Sequence, residues 1–180
     1  MKVTPTKLPG VLIIEPRVFE DHRGCFLETY HRERYAAAGI DGHFVQDNYS
    51  RSQQGTLRGL HYQWRRPQAK LVWSSQGEVF DVAVDVRAGS PTLGQWVGVH
   101  LDGKSKRQVY VPAGYAHGFC VLSETAEVLY KCTDFYDPEG EAGVLWNDPA
   151  LGIAWPSLAT NLSPKDAALP YLANARLLSL

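Results

Sequence analysis

The sequence predicts a mainly β fold, an antiparallel sandwich or barrel with a few short peripheral helices. Short strand-like runs with turn residues between them recur at a spacing of roughly 10 residues. Their apolar residues alternate with polar ones, as strands with distinct faces require. Five tryptophans among 180 residues add bulk suited to β structure and to the wall of a cavity.

Taken in order, the clearest helix is short. "YHRERYAAAGI", residues 30–40, carries three consecutive alanines and places Gly39 as its stop. "TLRGLHYQ", 56–63, is strand-like, with Leu57, Leu60 and Tyr62 as core candidates and Arg58 and His61 set between them. "EVFDVAVDVR", 78–87, alternates Phe80, Val82, Val84 and Val86 against Asp81, Ala83 and Asp85. "GQWVGVHL", 94–101, alternates likewise; "RQVYVPAG", 107–114, and "GFCVLS", 118–123, flank a Pro-Ala-Gly turn, and "EVLYKCTDFY", 127–136, follows. Near the end, "NLSPKDAALPYL" offers Ser163 as a helix cap, Pro164 at the first helical position and Asp166 three residues after the cap. A short helix packed outside the β body is expected there.

Composition narrows the function. With 44% hydrophobic and 21% charged residues, the chain reads as one ordinary globular domain over 1–180. A net charge of -1 gives no basic field for nucleic acid or an anionic membrane. The apolar run Val11–Ile14 is broken by Glu15 and Pro16, too short for a signal-peptide core or a membrane span. Cys25, Cys120 and Cys132 are an odd count with no CxxC pair, which argues for a reducing compartment, the cytoplasm.

Polar residues recur where a β interior must lie. Burying them unpaired costs several kcal/mol each, so a cluster points to a binding pocket. The candidates are Arg23, Glu28, Gln46, Asn48, Arg58, His61, Gln63, Lys70, His117 and Tyr130. Strict alternation puts Arg58 and His61 on opposite faces; Gly59 leaves room for close approach to a ligand or for a bulge, which would bring them together. Taken singly, each residue has a plainer reading. His61 is a core histidine bonded to a neighbour, His117 a loop histidine, Tyr130 a core aromatic, Asp166 a first-turn acid and Arg23 a surface turn residue.

"PAGYAH" has the spacing of half a metal pattern, but His61 is followed by Gln63 where a second histidine belongs. His61 and His117 alone are a poor transition-metal set, so a metal-free site is expected. A histidine base, a lysine cation and a tyrosine acid suit proton abstraction beside a carbonyl. The lysine steadies the enolate oxygen, a carboxylate such as Asp166 orients the histidine, and arginines anchor a phosphate-bearing handle.

Eight segments in order, "DHRGCFLETY", "QDNYSRS", "GTLRGLHYQ", "AKLVW", "GEVFDVAVDVR", "VPAGYAHGF", "LYKCTDFYDP" and "LSPKD", resemble the dTDP-4-dehydrorhamnose 3,5-epimerases from about residue 8 to residue 170. The resemblance implies a cupin-type jelly roll, a homodimer, and no metal or cofactor. It implies His61 as proton acceptor oriented by Asp166, Tyr130 as proton donor, and Lys70 near the sugar C4 oxygen. Arg23 and Arg58 match residues that hold the nucleotide diphosphate and sugar, while Glu28, Gln46 and Asn48 match thymidine-side and phosphate-side contacts. His117 matches a sugar contact, and Glu141 and Lys165 fall at ligand positions. The implied reaction inverts C3 and C5 of dTDP-4-dehydro-6-deoxy-D-glucose to give dTDP-4-dehydro-L-rhamnose, a precursor of bacterial surface polysaccharide such as lipopolysaccharide O-antigen. A relative inverting one carbon only is the alternative, and a silent nucleotide-sugar-binding cupin a remoter one. Trp73 stands where many relatives carry a basic or small residue; alternation with Lys70 and Val72 places it outside the pocket.

Overall fold

Thirteen strands and two short α-helices build the computed structural model, which describes residues 1–156 and 159–179. In chain order they are β1 (Lys2–Pro5), β2 (Leu12–Glu15), β3 (Val18–Asp21), β4 (Gly24–Leu27), α1 (Arg32–Ala37), β5 (Gln46–Gln53), β6 (Leu57–Gln63) and β7 (Lys70–Gln76). Then come β8 (Glu78–Asp85), β9 (Trp96–Asp102), β10 (Gln108–Val111), β11 (Tyr115–Val121), β12 (Thr125–Cys132), β13 (Glu141–Gly143) and α2 (Pro164–Ala167).

Two antiparallel sheets form the sandwich, in the orders β1-β2-β10-β7-β12-β5 and β13-β6-β11-β8-β9. The hairpin β3-β4 stands apart as a third, two-stranded sheet. This is the mainly β antiparallel sandwich with short peripheral helices that the alternating runs imply, and the double-sheet jelly roll that the resemblance implies.

Apolar residues fill one end of the space between the sheets. Val72, Val109, Val111 and Val128 from the first sheet meet Val79, Val99, Leu101 and Phe119 from the second. Two further cores lie on the outer faces. Against the first sheet, Ile14, Leu71 and Tyr110 pack on Tyr35 of α1 and on Ile40. Against the second, Phe80, Val82, Val84 and Val86 pack on Leu151, Leu178, Trp155 and Leu172 from the C-terminal segment. Strand β8 is therefore buried on both faces. Its stripe of Asp81, Ala83 and Asp85, which the sequence alone leaves as a polar side, points into the sandwich.

Several boundaries differ from the sequence reading for local reasons. The helix expected over 30–40 forms only over Arg32–Ala37, because His31 is its cap and Gly39, at φ 87°, turns the chain out after Ala38. Strand β11 starts at Tyr115 rather than 118, so His117 lies inside a wholly buried strand. The turn after β10 is correspondingly shorter. The segment 127–136 holds its strand only to Cys132, and 107–114 only over Gln108–Val111.

Candidate active site

The cleft opens at the end of the sandwich that the apolar core leaves unfilled. Its two walls follow from ladder register. On the first sheet Lys70 of β7 pairs with Cys132 of β12, which pairs with Gln46 of β5; beside them Val72, Tyr130 and Asn48 form the next row. Directly opposed residues share a face, so Lys70, Tyr130, Gln46 and Asn48 all look inward. Trp73, one residue out of phase, pairs with Gln108 and Leu129 on the outer face and does not line the cleft.

The second sheet supplies the opposite wall. His61 of β6 pairs with His117 of β11, and Glu141 of β13 pairs with Gln63 two residues along. Arg58 joins them through the bulge at Gly59. The ladder steps from His61↔His117 to Arg58↔Phe119, three residues of β6 against two of β11. Gly59 adopts φ 127°, and a Cβ there would lie 2.6 Å from the Gly118 Cα. Only a glycine allows both the conformation and the approach. The bulge brings Arg58 and His61 to one face.

The cleft has two lobes that share Asn48, His61, Lys70 and Tyr130. The larger, about 390 Å³, adds Arg58, His117, Phe119, Lys165 and Asp166. The smaller, about 190 Å³, adds Gln46, Gln63, Gln68, Tyr136 and Glu141.

Asp166 arrives from far along the chain. Thr56 bridges Asn161 beside the start of β6, and the Leu57 amide donates to the Asn161 carbonyl at 3.1 Å. That docking sets α2 against the cleft mouth. Ser163 caps α2, its Oγ accepting from the Asp166 amide at 3.0 Å, with Pro164 following it as the sequence indicates. Asp166 is 5% exposed, and its Oδ1 lies 2.5 Å from His61 Nε2. The residue is thus more than the first-turn acid of a helix packed outside the β body. Burial raises its carboxyl, but the His61 hydrogen bond and charge and the Ser163 cap together hold it below the ordinary range.

His117 has a carboxylate of its own. Its Nε2 lies 2.8 Å from Oδ2 of Asp81, and both side chains are buried. Two His–Asp pairs therefore stand side by side on neighbouring strands. Burial pushes the Tyr130 hydroxyl up and the Lys70 ammonium down. The Lys70 Nζ sits 6.0 Å from the centre of the Tyr130 ring. Arg58 Nε donates to Ser52 Oγ at 3.0 Å. At the mouth, Glu141 is ion-paired with Lys165 and accepts from the Tyr136 hydroxyl at 2.6 Å. Such an arrangement can hold an anion at its arginine and lysines and move protons between its walls.

Eleven of the thirteen residues singled out from the sequence meet in this cleft; Arg23 and Glu28 do not. Arg23 sits in the turn of the β3-β4 hairpin, its guanidinium 2.6 Å from Asp21. Glu28 accepts from Arg34 Nε at 2.9 Å at the foot of α1. Neither lines either lobe. Sequence reasoning assigned no role to Asp81, Gln68 or Tyr136. For Asp81 a signal existed, since it shares a face with Ala83 in a strand-period run, but nothing local says that this face is interior. Gln68 and Tyr136 stand outside the strands and carry no periodic signal.

Among the described residues, no group of three or more His, Cys, Asp or Glu is placed to hold a metal ion, and no helix is long and apolar enough to cross a membrane.

Comparison with known proteins adds the following. The family model described as dTDP-4-dehydrorhamnose 3,5-epimerase matches residues 5–174. A dTDP-4-dehydrorhamnose 3,5-epimerase of Pseudomonas aeruginosa is 58% identical over 177 residues, covering 97% of this chain and 98% of that one. The Salmonella typhimurium enzyme of the same name is 53% identical over 98% of each chain. The crystal structure of a Legionella pneumophila dTDP-6-deoxy-D-glucose-3,5-epimerase in complex with dTDP-4-keto-L-rhamnose superposes with a TM-score of 0.96, at 51% identity, over 99% of this chain and 98% of that one.

Proposed function

The chain belongs to the dTDP-4-dehydrorhamnose 3,5-epimerase family and is an epimerase, and we propose that the cleft carries the reaction with His61 as its base. The substrate is dTDP-4-dehydro-6-deoxy-D-glucose and the product dTDP-4-dehydro-L-rhamnose. Both reacting carbons flank the C4 ketone, so one base and one cation serve them in turn.

The observation that carries this reading is the placement of acid and base on opposite walls. His61 projects from the second sheet, Tyr130 and Lys70 from the first. A sugar ring between the sheets loses its α-hydrogen to one face and regains a proton on the other, which inverts the carbon. With Nε2–H donated to Asp166, Nδ1 of His61 is the nitrogen left to take the proton. The carboxylate then steadies the imidazolium that forms. Lys70 stabilises the charge that develops on the C4 oxygen. Burial raises the Tyr130 hydroxyl, so it stays protonated at neutral pH and serves as the donor.

Arg58 and Lys165 hold the diphosphate, with Gln46, Asn48 and Glu141 contacting the rest of the nucleotide and His117 the sugar. In this reading the reaction uses no metal or cofactor: His61, Tyr130 and Lys70 supply the proton transfers and the charge stabilisation. We place the enzyme in the cytoplasm, supplying a precursor of surface polysaccharide. It works as a homodimer. The β3-β4 hairpin exposes Phe19 and Phe26, at 50% and 71%, and a second copy covering it carries Arg23 to the neighbouring cleft.

Incubation with the substrate in D2O tests the reading. Deuterium entering C3 and C5, and lost in His61→Ala, supports it. Uptake at one carbon moves the chain to a single epimerisation, and binding without uptake leaves a nucleotide-sugar-binding module.

A further inference from the structure

We propose that Ser52 is a positioning residue for the substrate: its hydroxyl holds the Arg58 guanidinium by one edge and leaves the charge and the two terminal nitrogens for the diphosphate. The proposal rests on the reading of Arg58 given above.

Ser52 stands on the first sheet and Arg58 on the second. On β5 the unbroken register from Asn48↔Tyr130 to Ser52↔Ala126 keeps Ser52 on the same inward face as Asn48. The residue is buried, 7% exposed, and its Oγ accepts from Arg58 Nε at 3.0 Å. This hydrogen bond spans the two sheets. Ser52 lines neither lobe of the cleft, so it acts through Arg58, which lines the larger one.

The chain passes from one sheet to the other between these two residues, and the crossing is pinned. The Gln54 amide donates to the Glu124 carbonyl at 2.9 Å and the Gly55 amide to the Val121 carbonyl at 3.0 Å. The Gln54 side chain donates to the Leu122 carbonyl at 2.8 Å. Ser52 therefore offers its oxygen from a fixed backbone. A long arginine side chain loses much rotamer freedom when it grips a ligand, so holding it beforehand favours the complex.

The chemistry of the partner decides the consequence. Arg65, Arg66 and Arg87 are each paired with a carboxylate, which offsets their charge. Arg58 has no ion pair among the described residues, and its hydrogen bond is the one to Ser52. A hydroxyl oxygen orients a guanidinium without neutralising it. With Nε–H taken, the edge formed by Nη1 and Nη2 stays whole, and that fork matches two oxygens of a phosphate. A carboxylate in the place of Ser52 would compete with the diphosphate for it.

The test is Ser52→Ala, which removes the acceptor and leaves Arg58. Calorimetric titration of the full-length protein with dTDP and with thymidine is read beside steady-state kinetics. Affinity for dTDP is expected to fall about 3- to 10-fold, the scale of one hydrogen bond. Thymidine, which carries no phosphate, keeps its wild-type affinity. KM rises by a similar factor while kcat stays within about twofold, as for a contact remote from the reacting carbons. Ser52→Thr keeps the hydroxyl and restores dTDP affinity. Arg58→Gln alone weakens dTDP binding, and adding Ser52→Ala to it costs nothing further, because the two residues act as one unit.

Unchanged dTDP affinity in Ser52→Ala, an equal loss for thymidine, or additive losses in the double variant overturns the proposal. So does a Ser52→Thr protein that binds dTDP as weakly as Ser52→Ala. If Arg58→Gln leaves dTDP affinity untouched, the reading of Arg58 as a diphosphate ligand falls, whatever Ser52→Ala does. The two failures are thereby separate.

Discussion

Nε2 of His61 lies 2.5 Å from Oδ1 of Asp166, a carboxylate 105 residues further along the chain. The bond fixes which nitrogen is free to act as a base. Asp166→Asn keeps the volume and removes the charge that stabilises the imidazolium. We expect kcat to fall roughly 10²- to 10⁴-fold, in the range of a lost acid–base contribution, with dTDP binding within about threefold of wild type. Steady-state kinetics and calorimetric titration with dTDP check this. Unchanged kcat would remove Asp166 from the machinery.

With Tyr130 as the proposed donor, its removal is expected to separate proton removal from inversion. In Tyr130→Phe, His61 still abstracts the α-hydrogen, and the same face still returns a proton. Deuterium exchange in D2O therefore continues while inversion is lost at one or both carbons, read by NMR of the sugar ring. A variant that makes the wild-type product at the wild-type rate excludes Tyr130 as the donor.

Chelation is expected to leave turnover unaltered. After dialysis against EDTA the rate stays within experimental scatter of the untreated enzyme, and zinc, magnesium or manganese adds nothing. Loss of activity restored by one of those ions overturns the metal-free reading.

The hairpin residue Arg23 is tested by mixing subunits. On the proposed dimer, the Arg23→Ala and His61→Ala proteins are each expected to be poor enzymes. Exchange between them assembles a dimer in which one cleft has its own His61 and an intact Arg23 from the other copy. Activity is expected to rise on mixing. If each cleft used only its own chain's Arg23, mixing would give nothing.

Asp85, at the end of β8, is expected to contribute strongly to stability. Its side chain is fully buried and accepts from Arg87 at 2.7 Å and from Ser90 and Thr92 at 2.6 Å each. Burial raises its carboxyl, but these bonds outweigh burial and hold it far below the ordinary range. A carboxyl lowered on folding contributes stability above its unfolded pKa, about 4, and that contribution fades as pH falls towards the lower folded value. Asp85→Ala should cost about 3–5 kcal/mol at neutral pH, the scale for breaking a buried ion pair, and less at pH 3. Urea unfolding at the two pH values decides it; an equal cost at both contradicts the ionic account.

Much of this architecture follows from patterns of period two. The run 78–87 alternates because a strand turns successive side chains to opposite faces, and Phe80, Val82, Val84 and Val86 do share one core. The Ser163-Pro164 start of α2 is equally local, since a cap and a fixed φ act within one turn. These features depend on neighbours in sequence, so the amino acids by themselves determine them.

What the chain meets across space needed the tertiary structure. The alternation of β8 names two faces but cannot say that both are covered, and so Asp81 and Asp85 read as a polar side until the C-terminal segment is seen packed behind them. Asp166 gains its role only because the Thr56–Asn161 bridge sets α2 beside β6. Arg23 sits away from the cleft because its hairpin pairs with neither large sheet, and Glu28 follows that hairpin at the foot of α1, bound to Arg34. Local sterics and hydrogen bonds decide what kind of element a segment forms. Which charges are desolvated, and against which partners, depends on how those elements close over one another.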